Sequence, residues 1–232
     1  MTPQDRPETS AGGQAFRSGR AIALFLAATI SGLAADLLSK DYVFQSLLAN
    51  PNLPAFVQKL IDNRGAPSGD QILHSPEIRP YIQRQVAPGI KFTLQTNPGV
   101  VFGFRLPRPV VAAVTICAIG LVAFLMATSD RRAWSIHLAL AFIMAGALGN
   151  LHDRLFSVVK LPGVYPDDIA DAYPVIQYQV RDFIDCSQLY YPWVFNIADV
   201  FLVAGVAILL LHWALAKGSK ADTSRTDGVR RN

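Results

Sequence analysis

Four stretches of the chain are almost wholly apolar, at residues 21–38, 109–128, 134–151 and 194–215, with polar or mixed sequence between them. Each has roughly 18–22 residues, enough for a helix rising 1.5 Å per residue to cross a hydrocarbon core of about 30 Å. Residues 42–90 mix short amphipathic pieces with Pro51, Pro54, Gly65, Pro67, Pro80 and Pro88, and within them FVQKLIDN reads as a short helix. From Ile90 the period changes: IKFTLQT alternates like a strand, and NPGVVFGF follows as a turn and a second extended piece. In the segment 155–192, VIQYQV is again strand-like. The pattern predicts an all-α polytopic membrane protein with four transmembrane helices and a small amount of β-structure in its loops. Residues 1–19 and 217–232 are rich in small, polar and breaking residues and read as disordered tails. That leaves one membrane domain at 20–216 with an insertion at about 42–90.

Composition sharpens this picture. Charged residues make up 16% of the 232 positions, against about 25% for an ordinary soluble domain. The net charge of +4 comes largely from the tails, and no Lys/Arg run is interleaved with aromatics, which argues against a nucleic-acid partner. Cys117 lies in an apolar segment and Cys186 in a polar one, so a disulfide between them is not expected. Neither these nor His74, His137, His152 and His212 show metal-ligand spacing, so no metal centre is expected and the histidines read as structural. No Gly-rich phosphate loop or nucleophile elbow is present. The polar lead before residue 21 and the lack of a small-residue cleavage site make the first apolar segment a retained helix rather than a signal peptide. Arg6, Arg17 and Arg20, the loop residues Arg131 and Arg132, and Lys217, Lys220, Arg225, Arg230 and Arg231 all fall on one side of a four-span topology. That side is expected to be cytoplasmic, with both termini inside and the two long loops outside.

Candidate chemistry gathers at the outer ends of the spans. Asp199 lies about one turn inside the fourth segment, where an ionised group costs on the order of 3 kcal/mol or more and is a functional candidate by default. Asp182 in VRDFID arrives shortly before it. Asp36 and Lys40 close the first segment four residues apart, Asn150, Asp153 and Arg154 close the third, Asn196 opens the fourth beside Asp199, and Asn97 precedes the second. Plainer readings exist for each. Asp36–Lys40 is also what a helix-end ion pair with a snorkelling lysine looks like. Asp153 and Arg154 suit an ordinary helix terminus, Asn150 suits a cap or an interhelical hydrogen bond, and Asp185 is an alternative second carboxylate. Two aspartates held close cannot both ionise easily, so one keeps a proton while the other activates water, as in aspartic proteases. In that arrangement the asparagines and Arg154 position a peptide backbone or orient the aspartates.

The chain resembles lipoprotein signal peptidase, the signal peptidase II family, in five motifs in the family's order. They are AADLLSK (34–40), TNPGVVFGF (96–104), GALGNLHDR (146–154), VRDFID (180–185) and FNIAD (195–199). The resemblance covers most of residues 20–215. It implies an intramembrane aspartic endopeptidase that removes the signal peptide from diacylglyceryl-modified bacterial prolipoproteins, cutting just before the lipidated cysteine. It places the catalytic aspartates on Asp182 and Asp199, substrate contacts on Asn97, Gly99, Asn150, Arg154 and Asn196, and supporting roles on Asp36, Lys40 and Asp153. It further implies a small extracytoplasmic β-sheet cradle, a short helical element over the site, no cofactor, action as a monomer in the bacterial inner membrane among its lipids, and inhibition by globomycin-type cyclic peptides. Departures from the family pattern are the long segment at 41–89, Val100 and Val101 in place of smaller residues, His152 in place of an apolar or aromatic one, and a slightly short aspartate spacing. Two other readings stand beside it: a silent homologue that binds lipidated peptides, which should have lost an aspartate, and a small transporter, which should carry polar groups at the midplane or at both faces.

Overall fold

The computed structural model describes residues 13–64, 68–101, 104–162 and 175–229. Helix α1 (Gly19–Leu48) is followed by α2 (Leu53–Arg64), α3 (Gly69–Leu73) and α4 (Arg79–Ile82). Strands β1 (Gln83–Ala87), β2 (Ile90–Asn97), β3 (Val100–Val101) and β4 (Phe104–Arg105) lead into α5 (Arg108–Thr128) and α6 (Trp134–Phe156). Strands β5 (Val158–Lys160), β6 (Val175–Gln177), β7 (Val180–Asp185) and β8 (Val194–Phe195) precede α7 (Ile197–Val229). Among the described residues, four helices are long and apolar enough to cross a membrane: α1, α5, α6 and α7 as far as Leu215. The all-helical, multi-pass reading with a small antiparallel sheet is therefore borne out.

Local sequence accounts for most element ends. The Ser18 hydroxyl caps α1 by accepting from the Ala21 N–H at 3.4 Å. Pro109 sits in the first turn of α5, where a missing N–H costs nothing. Ser68 and Gln71 form a reciprocal capping box at α3.

Three boundaries differ from the sequence reading. Helix α1 does not end with Asp36 and Lys40 but runs to Leu48, because Val43, Phe44 and Leu47 extend its apolar face and bury it against α2–α4 and the sheet. The fourth span starts at Ile197 rather than residue 194, since Val194 and Phe195 pair with Asp185 and Ile184 as a strand. The α7 backbone also stays helical to Val229, through part of the segment expected to be disordered. At the other end, residues 1–12 of the expected tail lie outside the described residues. Residues 13–18 are structured: Gln14 forms a β-bridge with Asp130, Ala15 N–H donates to the Ser129 carbonyl at 2.9 Å and Arg131 N–H to the Gly13 carbonyl at 2.9 Å.

The main sheet has the order β1-β2-β7-β8, all antiparallel, with β3-β4 and β5-β6 as separate two-stranded ribbons. IKFTLQT lies in β2 and the VIQ of VIQYQV is β6, as their alternation suggested; VRDFID, for which no strand was expected, is the inner strand β7. Two apolar cores result. One packs α2–α4 and the projecting end of α1 onto the sheet through Leu53, Val57, Ile72, Ile78, Leu94 and Phe183. The other, at the opposite end of the bundle, joins Ala15, Phe25, Val122, Met126, Leu140 and Met144.

Candidate active site

Asp182 and Asp199 come from different elements and meet through two asparagines. Asp182 lies on β7 opposite Gln95 of β2 and is buried, 4% exposed. Asp199 lies in the first turn of α7 and is only partly buried. Asn196 is the residue just before α7. Its side-chain oxygen accepts from the Asp199 N–H at 3.0 Å while Asp199 Oδ2 accepts from the Asn196 N–H at 3.2 Å, a capping box that fixes the Asp199 rotamer. Asn196 Nδ2 also donates to Asp182 Oδ1 at 2.6 Å and to Asn150 Oδ1 at 3.2 Å. Asn150 Nδ2 completes the ring by donating to Asp199 Oδ1 at 2.9 Å. Burial first, and the neighbouring Asp199 charge second, push the Asp182 carboxyl up to about 8. Asp185, by contrast, is held below the usual range: burial acts to raise it, but the Ser187 hydrogen bonds and the Lys91 charge outweigh that. Asp185 thus behaves as a turn residue, with its carboxylate accepting the Ser187 N–H at 2.8 Å.

Beneath this pair lies a fully buried ion cluster. Lys40 and Asp36 are both 0% exposed, so the snorkelling lysine of the plainer reading is corrected: Lys40 points into protein. Its ammonium donates to Asp36 Oδ2 at 2.7 Å and Asn150 Oδ1 at 3.2 Å, and meets Asp153 Oδ2 at 3.1 Å. Those three partners saturate an ammonium. Asp36 Oδ1 accepts the Ala198 N–H at 2.8 Å, satisfying an otherwise orphaned donor at the start of α7 and placing a negative charge where the helix dipole favours it. Asp153 accepts from the Arg181 N–H at 3.0 Å, from Nε at 3.0 Å and from Nη2 at 2.8 Å. Two glycines let the helices come this close. A Cβ on Gly149 would collide with Asp36 Oδ2, and one on Gly146 with the Ala198 carbonyl.

The residues with expected roles therefore occupy one region with different work. Asn150 and Asn196, expected to contact substrate, have their amide groups engaged with the aspartates and Lys40. Arg154 Nη1 donates to the Asn150 carbonyl at 3.1 Å while its buried Nε has no hydrogen-bond partner among the described residues. Gly99, at φ +105, donates its N–H to Asn97 Oδ1 at 2.9 Å, a turn that only glycine adopts without strain. Asn97 sits on β2 beside Val180. The histidines lie elsewhere or outside the polar ring: His137 on Ser129, His212 on Ser135, His74 on the Asp70 carbonyl, and His152 against Phe156. Sequence reasoning missed Arg181, Gly146 and Gly149. The glycines had a signal, a small-residue pair on one apolar helix; Arg181, next to an aspartate in a polar-looking stretch, had none.

The family described as Signal peptidase (SPase) II matches residues 28–215. A lipoprotein signal peptidase of Rhodopirellula baltica is 32% identical over 208 residues, 88% of this chain and 77% of that protein. One of Aquifex aeolicus is 33% identical over 142 residues, 57% of this chain and 71% of that protein. Lipoprotein signal peptidases of Desulfitobacterium hafniense are 33% identical over 122 residues, 51% of this chain, and the chain spans 65% of their length. A bacterial membrane enzyme solved by the in meso method at 2.3 Å resolution shares the fold, with TM-score 0.51 at 20% identity over 89% of this chain and 93% of that one.

Proposed function

Because this chain belongs to the signal peptidase II family, we propose that it is an intramembrane aspartic endopeptidase acting on diacylglyceryl prolipoproteins. The observation that carries the reading is the pairing of a buried Asp182, raised to about 8, with a more accessible Asp199. At neutral pH Asp182 keeps its proton and Asp199 is the base. Asp199 takes a proton from a water whose oxygen adds to the scissile carbonyl carbon. Asp182 donates its proton to the carbonyl oxygen, giving a gem-diol. The gem-diol collapses by breaking the C–N bond: the amine of the lipidated cysteine leaves with the proton Asp199 had taken, and a hydroxyl proton returns to Asp182. Water, peptide and protons balance, and the aspartates end as they began.

The remaining residues fall into place around this. Asn150 and Asn196 orient both carboxylates. Arg154, with donors to spare beside two aspartates, holds a peptide carbonyl near the scissile bond, and the Asn97–Gly99 turn presents backbone at the entrance. Asp36, Lys40 and Asp153 hold α1, α6, α7 and β7 together. The site lies at the outer face of the inner membrane, with both termini cytoplasmic. One chain carries both aspartates, so a monomer suffices. Polar groups crowded at one end of the spans favour this reading over a transporter.

The test is a gel-shift assay on purified protein with a prolipoprotein already carrying diacylglycerol. Asp182→Asn and Asp199→Asn should each abolish cleavage with membrane insertion intact, and a globomycin-type peptide should block the wild type. Normal cleavage by either variant would defeat the dyad. Arg154→Ala should lower kcat/KM by about tenfold or more, the scale of a lost positioning contact.

A further inference from the structure

We propose that Arg181 is a positioning residue for Asp182, pinning the strand that carries the aspartate to both α6 and the projecting end of α1. The proposal rests on the peptidase reading of the site.

The sheet alone does not hold Asp182 firmly. In the β2–β7 ladder the pairs are Phe92 with Ile184 and then Gln95 with Asp182, so two β2 residues face one β7 residue and the register is broken beside the aspartate. Bulges of this kind loosen pairing and re-aim side chains. On its other edge β7 meets β8 only at Ile184 and Asp185. Asp182 therefore has a ladder partner on one side only, next to an irregularity.

Arg181 supplies the missing restraint. Successive strand residues face opposite ways, so Arg181 and Phe183 bracket Asp182 on the far face, where Phe183 is sunk in the core at the sheet end. The Arg181 backbone N–H, Nε and Nη2 all bond to Asp153, which is 0% exposed. Nη1 pairs with Asp41, and the guanidinium lies 5.9 Å from the Phe44 ring centroid. Asp41 and Phe44 belong to the part of α1 that continues beyond Lys40. A guanidinium satisfies this geometry because its planar fork sets Nε and Nη2 side by side on Asp153 while Nη1 reaches Asp41; the single nitrogen of an ammonium cannot reproduce that spread of donors. The charges point the same way. Asp36, Asp153 and Lys40 together leave one buried negative charge, and Arg181 balances it beside the dyad.

The test uses the full-length protein and the lipidated prolipoprotein across pH, with Arg181→Met, Arg181→Lys and Asp41→Asn. The groups facing Asp182 are Asp199, Lys40, Asp153 and Arg154; those facing Arg181 are Asp153 and Asp41. Arg181→Met should lower kcat about tenfold or more with KM within about twofold. It should also move the pH–rate bell upward by about half a unit or more, since Asp153 keeps Lys40 but the Asp36–Lys40–Asp153 cluster near Asp182 is left with a net negative charge. Arg181→Lys should bring the bell back while kcat stays low. Asp41→Asn, at the exposed end of the clamp, should lower kcat roughly two- to fivefold at unchanged melting temperature. The infrared carbonyl band of the Asp182 carboxylic acid, identified by its loss in Asp182→Asn, should titrate higher in Arg181→Met with no substrate present. A wild type that cleaves nothing counts against the peptidase reading, and the infrared titration then decides the proposal by itself. An Arg181→Met protein with only a lower melting temperature, and with wild-type kcat, pH profile and infrared titration, would overturn it. If that variant does not fold, wild-type kcat in both Arg181→Lys and Asp41→Asn overturns it instead.

Discussion

Asp182 holds its proton through the pH range in which a free carboxyl would lose it, and that has a consequence for stability as well as for chemistry. With the folded value raised to about 8 and an unfolded value near 4, unfolding releases a proton between about pH 4 and pH 8. Stability therefore falls as pH rises through that window and is flat above it, by up to about 1.4 kcal/mol per pH unit. Asp182→Asn does not titrate, so its melting temperature should gain on the wild type from pH 5 to pH 8; a constant gap in scans at the two pH values would contradict the burial argument. Asp199 stood out in the sequence because a carboxylate within an apolar span has few structural reasons to be there, whereas Asp182, in a polar stretch with Asp185 as an alternative, was singled out by the VRDFID motif. Arg181 was not, because an arginine beside an aspartate in a polar stretch looks like a solvated pair, and only the fold reveals that Asp153 lies buried beneath it.

At the scale of elements, the start of α7 is where helix chemistry and site chemistry coincide. Asn196 and Asp199 satisfy each other's backbone N–H while Asp36 takes the Ala198 N–H. Asn196→Ala should remove a cap worth about 1 kcal/mol and disorient both aspartates, so that kcat falls well beyond what the melting temperature registers; equal losses in both would reduce Asn196 to a cap. Gly149 is the second such point. Gly149→Ala adds one methyl against the Asp36 carboxylate and should cost about 1–3 kcal/mol as overpacking, measurable by thermal denaturation in detergent, along with most activity. The four spans, α2 and the alternating strands were readable from periodicity. The strand β7 was not, because its buried residues fall on both faces, so VRDFID shows neither the alternation of a half-buried strand nor an unbroken apolar run.

Across the whole molecule, two apolar cores lie at opposite ends of the bundle, joined by close packing of α6 against α1 and α7. The core at the sheet end packs α2–α4 onto the sheet directly behind Asp182, and the opposite core gathers α1, α5 and α6. Val57→Ala, in the fully buried face of α2, should destabilise the sheet-end core by roughly 1–3 kcal/mol. Activity should then be lost at a lower temperature than the helical circular dichroism of the spans; simultaneous loss would mean the two cores unfold together. The sequence carried the apolar residues of this subdomain but not their packing, since short amphipathic pieces broken by prolines are compatible with many arrangements until a sheet offers them a surface. The N-terminal strap has a practical side. Residues 13–15 exchange backbone hydrogen bonds with Ser129 and Arg131 in the α5–α6 turn, so this strap works as a clasp between two helix ends. An affinity tag fused directly ahead of Gly13 would strain that clasp. Protein tagged instead beyond Val229 should melt higher and purify more evenly, and a tag-position comparison by thermal scan would show whether the clasp carries that weight.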